Sequence, residues 1–334
     1  MSFELKRQAL LKRIYQLSNS SFEQLAMDVY AFQAEHCAAY RDFHRYLGIN
    51  PAGISNLYEI PFLPIQAFKS HTVQTGHWES QRRFESSGTT GQTSSKHYIR
   101  SLSHYLINTI RGFESFYGEL AQWNILALLP SYLERGNSSL VCMVEEFIEQ
   151  SESPLSGFFL HDHENLLKHL EACKDSGKPT LLMGVTYALL DFAESHYVPE
   201  VPGLVVMETG GMKGRRREIT RKEVHQKLKE VFKVDKIHSE YGMTEMLSQA
   251  YSKGKGIFYP TKTMAVLTAD VYDPLEIHFS GRRGVLQVVD LANLDTCSFI
   301  ATEDLGFVFE NGAFEVIGRL DASEMRGCNL MVEG

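Results

Sequence analysis

From residue 123 to residue 239 the chain alternates short apolar runs with stretches of helical periodicity, and no other feature restricts its fold so tightly. Trp123 to Leu129, Gly157 to Leu160, Thr180 to Met183, Leu204 to Met207 and Lys236 to Ser239 read as strands. Helices fill the intervals. Ser138 or Ser139 starts one that carries Val141, Val144 and Ile148, and Asp162 N-caps another with Leu166, Leu167 and Leu170. A third runs to about Ser195, and Thr220-Arg221-Lys222-Glu223 is a capping box opening a fourth with Val224, Leu228 and Val231. Just upstream, Ser103 can N-cap a helix carrying Leu106, Ile110, Phe113 and Phe116 that closes at Gly118. This rhythm predicts an α/β fold whose largely parallel sheet is covered on both faces.

The flanks read differently. Phe3, Leu10, Ile14 and Leu17 lie at helical spacing, and Ser21-Phe22-Glu23-Gln24 has the pattern of a capping box before a helix with Leu25, Val29 and Phe32. Pro51, Pro61 and Pro64 then favour extended connections. Beyond about Gly254 the periodicity shortens. Gly284 to Val289, Gly306 to Phe309 and Phe314 to Ile317 read as strands of a smaller β subdomain, with a hairpin turn at Glu310-Asn311-Gly312.

A chain of 334 residues, 43% of them hydrophobic, can bury one large or two modest cores. Its net charge of −8 argues against a general nucleic-acid or membrane-surface binder. Cys37, Cys142, Cys173, Cys297 and Cys328 are scattered without a CxxC spacing, which suits reduced thiols in a cytosol rather than a disulfide frame or zinc site. The charged N-terminus has no apolar signal core, and no apolar run approaches a membrane span. The expectation is a cytoplasmic protein without an integral membrane segment or a nucleic-acid partner.

Four short motifs can carry chemistry. In the first, Glu85 to His97, Gly88 and Gly91 stand among seven hydroxyls and Lys96. Glycines let backbone N–H groups close on an anion, hydroxyls add rotating donors, and a lysine supplies a point charge. That is the chemistry of a triphosphate cradle, although the spacing is not that of a Walker A loop; the plain alternative is a Ser/Thr/Gly surface linker. In the second, Glu208-Thr209-Gly210-Gly211-Met212, a Gly-Gly turn at a strand's C-terminal end lets a flat ring lie on bare backbone, at the edge where open α/β sheets bind ligands. An ordinary strand–helix turn has the same sequence. In the third, Glu240-Tyr241-Gly242-Met243-Thr244-Glu245, Tyr241 offers a stacking face, Gly242 a tight turn, Thr244 a donor to phosphate and Glu245 a hard oxygen ligand for Mg²⁺. Its alternative is a strand end running into a helix capped by Thr244. The fourth is a pair, Thr302-Glu303-Asp304-Leu305-Gly306 and Gly318-Arg319-Leu320-Asp321. His161-Asp162-His163 reads as a helix cap with flanking histidines before it reads as a metal site, and the basic run from Lys213 to Lys222 as a solvated face.

Taken in order, these motifs resemble those of the adenylate-forming superfamily of acyl and aryl ligases, most nearly the LuxE-type acyl-protein synthetases and also the phenylacetate-CoA ligases. The resemblance implies a phosphate loop at Ser86, Ser87, Gly88, Thr89, Thr90 and Gly91; the superfamily's lysine usually follows one or two residues later, whereas Lys96 comes five later. It implies a glycine turn against adenine at Gly210, Gly211 and Met212, and the family's Tyr-Gly-x-Thr-Glu motif at Tyr241, Gly242, Thr244 and Glu245. Asp304 is placed to take both ribose hydroxyls, and Arg319 to contact ribose or phosphate near the family's hinge. Glu303 stands where many relatives have Gly.

The implied activity is ATP- and Mg²⁺-dependent conversion of a carboxylic acid, a fatty one, to acyl-AMP. Arg326-Gly327-Cys328 resembles the C-terminal cysteine region of acyl-protein synthetases, where a cysteine takes the acyl group as a thioester and hands it to a reductase partner. Two alternatives stand beside this: an acyl- or aryl-CoA ligase using free coenzyme A, and a nucleotide-binding partner subunit without catalysis. The expected layout is a helical and extended segment over 1–80 packed on an α/β nucleotide-binding core of 81–253, a β-rich subdomain of 254–321, and a tail of 322–334. The superfamily's small C-terminal domain, with its catalytic lysine, has no counterpart in these residues.

Overall fold

The computed structural model describes residues 2–86, 93–130, 136–210 and 219–320. They divide into two units, one of residues 1–77 with 262–334 and the other of 78–261.

The first unit opens with helices. α1 (Phe3–Tyr15) is capped by Ser2, whose Oγ accepts from Leu5 N, and buries Arg7, Leu10 and Ile14, one face by the 3–4 spacing. α2 (Phe22–His36) buries Leu25, Ala26, Val29, Tyr30 and Phe32. The capping box expected between Ser21 and Gln24 lies one turn earlier. Ser18 and Ser21 cap a 3-10 turn at Asn19–Ser21 reciprocally, and Gln24 instead donates to Asp28 at 3.3 Å. α3 (Ala38–Leu47) ends on Gly48, whose φ of +67° suits a residue without Cβ. β1 (Leu63–Pro64) and α4 (Ala67–Ser70) complete this segment.

In the second unit β2 (Arg82–Glu85) and β3 (Lys96–Ile99) form an antiparallel hairpin, with Glu85 opposite Lys96. α5 (Leu102–Tyr117) is capped by Ser101 rather than Ser103; Ser101 Oγ accepts from His104 N at 3.2 Å, and the Ser103 hydroxyl bonds to that of Ser101. Then follow β4 (Asn124–Leu128), α6 (Ser139–Ser151), β5 (Gly157–Phe158), α7 (His163–Cys173), β6 (Thr180–Val185), α8 (Thr186–Ser195), β7 (Leu204–Thr209), α9 (Arg221–Phe232) and β8 (His238–Tyr241). Ser138, Asp162 and Thr220 cap α6, α7 and α9 as expected, and Thr220 and Glu223 complete the capping box. β9 (Ala250–Ser252) and β10 (Ile257–Pro260) were not foreseen. The sheet runs β10-β9-β8-β7-β6-β4-β5. It is parallel from β5 to β8, and β9 and β10 add antiparallel strands. Every residue of β4 and β6 is buried, as a sheet covered on both faces requires.

Residues 262–320 return to the first unit as β11 (Met264–Ala269), β12 (Ile277–His278), β13 (Arg283–Asp290), β14 (Phe299–Val308) and β15 (Phe314–Arg319). Their sheet is antiparallel in the order β12-β11-β13-β14-β15, and β1 lies parallel to β14. Gly284 and Gly306 face one another across β13 and β14. A Cβ on Gly306 would lie 2.4 Å from the Glu315 carbonyl oxygen, so backbone packing leaves room for no side chain. A buried cluster of Tyr30, Tyr40, Phe62 and Phe299 joins α2 and α3 to this sheet. Gln33 donates to the Asn293 and Leu294 carbonyls and accepts from Ser298 N, which satisfies a buried loop.

Candidate functional site

Two of the motifs meet at the C-terminal ends of β7 and β8. The strands are parallel and in register, Glu208 beside Ser239 and Thr209 beside Glu240. Successive residues of a strand point to opposite faces, so Glu208 and Glu240 enter different layers. Glu208 meets α8 and α9. Thr186 Oγ1 donates to its Oε2 at 2.8 Å and lies 3.0 Å from the Gly210 carbonyl oxygen. His225 Nε2 is 3.5 Å from Glu208 Oε1, beyond a well-formed hydrogen bond, and Arg221 Nε is 4.0 Å away. Burial opposes ionisation of Glu208, but His225, Ser239, Arg221 and Thr186 together outweigh it and hold the carboxyl below its ordinary range.

Among the described residues, none of the groups acting on Glu240 is a cation. Thr209 Oγ1 donates to its Oε2. Burial, with the negative charge of Glu208 adding to it, pushes its pKa up to about 7 against the opposing Thr209 bond. Tyr241 ends β8, is buried, and tilts against Phe258 with ring centroids 5.8 Å apart.

Past Tyr241 there is no helix. Gly242 to Gln249 form a tight, mostly buried connection to the antiparallel strand β9, so the motif is a turn within the sheet edge rather than a capped helix start. Asn108 on α5 fixes it by donating to the Leu247 carbonyl at 2.8 Å. Glu245 is buried in this turn. The Thr244 carbonyl accepts from His97 Nδ1 of β3 at 2.8 Å, which brings the stem of the hydroxyl-rich hairpin against the same turn. At that stem Ser95 N donates to Ser86 Oγ at 2.9 Å, and Lys96 is exposed. Gly210 turns the chain out of β7 with φ +68°.

Gly210, Tyr241, Gly242, Thr244, Glu245, Ser86 and Lys96 are therefore gathered by one sheet edge and the hairpin stem beside it. Ser87, Gly88, Thr89, Thr90, Gly91, Gly211, Met212 and Cys328 lie outside the described residues, as do Lys213 and Arg215 to Arg217 of the basic run. Asp304 and Arg319 belong to the first unit, where they are partners across β14 and β15. Thr302 to Gly306 thus form the middle of β14. Glu303 joins two neighbours, accepting from Gln66 at 2.6 Å and from Arg319 Nη2 at 2.7 Å.

Sequence reading quoted Glu208, Glu240 and His97 but gave them no role, and it missed Thr186, His225 and Asn108. Each glutamate sits at or beside the last residue of a strand, a buried carboxylate where polar groups converge, and that was the available signal. The remaining residues become neighbours only through tertiary packing. Among the described residues no group of three His, Cys, Asp or Glu side chains could hold a metal, and no helix is long and apolar enough to cross a membrane. Asp162 acts as a cap, and His163 packs edge-on against Phe192 and His196.

No curated protein matches the sequence. Among solved structures, a 2-hydroxyisobutyryl-CoA ligase in complex with 2-HIB-AMP and CoA aligns over 100% of this chain and 74% of its own, at 14% identity and a TM-score of 0.66. ATP-bound MatB from Rhodopseudomonas palustris aligns over 71% of this chain at 16% identity and a TM-score of 0.54. This chain spans 47% of that MatB chain. At such identities the likeness speaks for the fold: the α/β architecture is that of the N-terminal domain of adenylate-forming enzymes. The family model for acyl-protein synthetase, LuxE, matches residues 136–334. That is more than half of the sequence, and the chain belongs to the LuxE acyl-protein synthetase family.

Proposed function

We propose that the protein activates a carboxylic acid, a fatty one, as its acyl-adenylate and then carries the acyl group on Cys328. The observation that carries this reading is the convergence of the Gly210 and Gly242–Glu245 turns at the C-terminal edge of one parallel sheet, in a chain of the LuxE family. The acid's carboxylate oxygen attacks the α-phosphorus of ATP; the bond to the bridging oxygen breaks and pyrophosphate leaves. Ser86 to Gly91, with Lys96 beside them, hold the β- and γ-phosphates. Gly210, Gly211, Met212, Tyr241 and Gly242 hold adenine, Asp304 and Arg319 hold ribose, and Thr244 donates at the α-phosphate, where charge develops.

A single buried carboxylate on a tight turn fits Mg²⁺ that arrives with nucleotide phosphates, and Glu245 is that residue. The ion would neutralise phosphate charge during displacement. Because this chain spans about half of the MatB structures, such roles belong to these residues by proposal.

In the second step the thiolate attacks the acyl carbonyl, AMP leaves, and a thioester forms that a reductase partner can take up. Support for Cys328 comes from the other thiols. Burial raises the pKa of Cys37, Cys173 and Cys297 and pushes Cys142 up to about 11, against thiolate formation.

The test has two readings. Acid-dependent exchange of labelled pyrophosphate into ATP checks adenylation; absence of exchange with every acid, with or without a reductase, defeats it. Intact-mass spectrometry after incubation with ATP and mixed acids checks the carrier: an acyl adduct is expected and Cys328→Ala removes it, whereas a variant still acylated overturns the thiol assignment. The likeness to a ligase in complex with CoA favours a second reading, with coenzyme A as acceptor. Acyl-CoA formation that survives Cys328→Ala selects that one.

A further inference from the structure

Glu240 lies in no motif position to which the adenylation reading gives work, yet it is buried, and among the described residues no cation is one of the groups acting on it. Thr209 on β7 donates to its Oε2. Tyr251 is its direct partner across β8 and β9, so the two side chains share a face of the sheet. The Tyr251 hydroxyl is buried and has no hydrogen-bond partner among the described residues. Tyr105 on α5 interacts with Glu240 electrostatically while its own hydroxyl donates to the Ser139 carbonyl, and Glu208 acts on Glu240 from the opposite face of β7. Its second oxygen, Oε1, is packed against the next turn: a Cβ on Gly242 would lie 2.5 Å from it. One carboxyl group thus touches both nucleotide turns, the Gly210 turn through Thr209 and the Tyr241–Glu245 turn through Gly242.

We propose that Glu240 is a positioning residue that sets the Gly242–Glu245 turn against the Gly210 turn. The proposal rests on the adenylation reading for its effect on activity, though not for its effect on the turn. A neutral carboxyl serves this role best. It keeps the Thr209 bond without placing a second buried charge near Glu208, and burial with that neighbour raises its pKa toward neutrality. Ionisation adds repulsion from Glu208 in a buried place, while Tyr105 and Tyr251 stay neutral because burial holds their pKa values well above the ordinary phenol value.

The experiment compares wild type with Glu240→Gln and Glu240→Ala, using the full chain. Amide hydrogen exchange of the peptide spanning 242–249, corrected for intrinsic rate, is measured from pH 6 to 8.5. Wild-type protection is expected to fall by about tenfold as pH rises through 7, E240Q to hold its protection across the range, and E240A to lose it throughout. Acid-dependent pyrophosphate exchange should follow the same pattern, with E240Q rescuing at high pH the rate that wild type loses. An E240A turn as protected as wild type at pH 6, or an E240Q variant that keeps the wild-type alkaline loss, overturns the proposal. Wild-type protein without pyrophosphate exchange defeats adenylation alone, because the hydrogen-exchange arm still decides the role of Glu240.

Discussion

Glu208 and Glu240 sit on adjacent strands, one residue apart in register, and respond to pH in opposite senses. The pKa of Glu208 is lowered in the fold, so its contribution to stability is present above the ordinary glutamate range and is lost as pH falls through the folded value. That of Glu240 is raised to about 7, so its contribution is present below the unfolded value and is lost as pH rises through 7. Thermal unfolding should therefore show E240Q gaining on wild type from pH 5 to pH 8, by an amount on the order of 1–3 kcal/mol. An unchanged difference over that range contradicts this account of the pair. Gly306→Ala makes a second test at this scale. The new Cβ must push into the Glu315 carbonyl and the Leu286 side chain, at a cost of about 1–3 kcal/mol read from urea unfolding. Neither effect was legible in sequence. The motif residues were visible as types, but burial and cross-strand neighbours set their chemistry.

Among elements, α9 connects local signal to the site most directly. Its capping box, Thr220 with Glu223, was readable because both partners lie within one turn. The helix it starts carries Arg221 and His225 toward Glu208. Thr220→Ala should cost about 1 kcal/mol in denaturant unfolding, and a loss below a few tenths would show that the cap is idle. α1 is held differently. Arg7 makes two bonds to Asp295, and both side chains are nearly buried. Arg7→Met leaves the carboxylate without its partner and should cost about 3–5 kcal/mol, whereas Arg7→Met with Asp295→Leu should recover most of that. Unfolding of both variants tests it, and equal losses contradict the pairing argument. Where the expected elements failed, the competing signal was equally local. Ser18 outcompeted Ser21 as the upstream cap, and Ser101 outcompeted Ser103, because backbone direction decides which hydroxyl faces the open N–H groups.

Across the whole molecule, residues 78–261 form one unit, while residues 1–77 and 262–334 form the other. Tyr241 and Glu245 lie within residues 78–261, and Asp304 and Arg319 within residues 262–334. Asp304→Ala and Glu245→Ala should each reduce acid-dependent pyrophosphate exchange by about 10²-fold or more, and near wild-type rates for either variant would remove it from the nucleotide site. The sequence by itself determined the alternation of strand and helix, the caps whose partners lie three residues apart, and the order of motifs that led to the family. Those properties depend on residues near one another in the chain. Only the tertiary structure decided that Thr302 to Gly306 is the middle of a strand, that Gly242 to Gln249 is a buried turn, and that Glu240 lies between two glycine turns. Each of these depends on which strand lies alongside, and pairing between distant segments, unlike a helix cap, leaves no fixed spacing in the sequence.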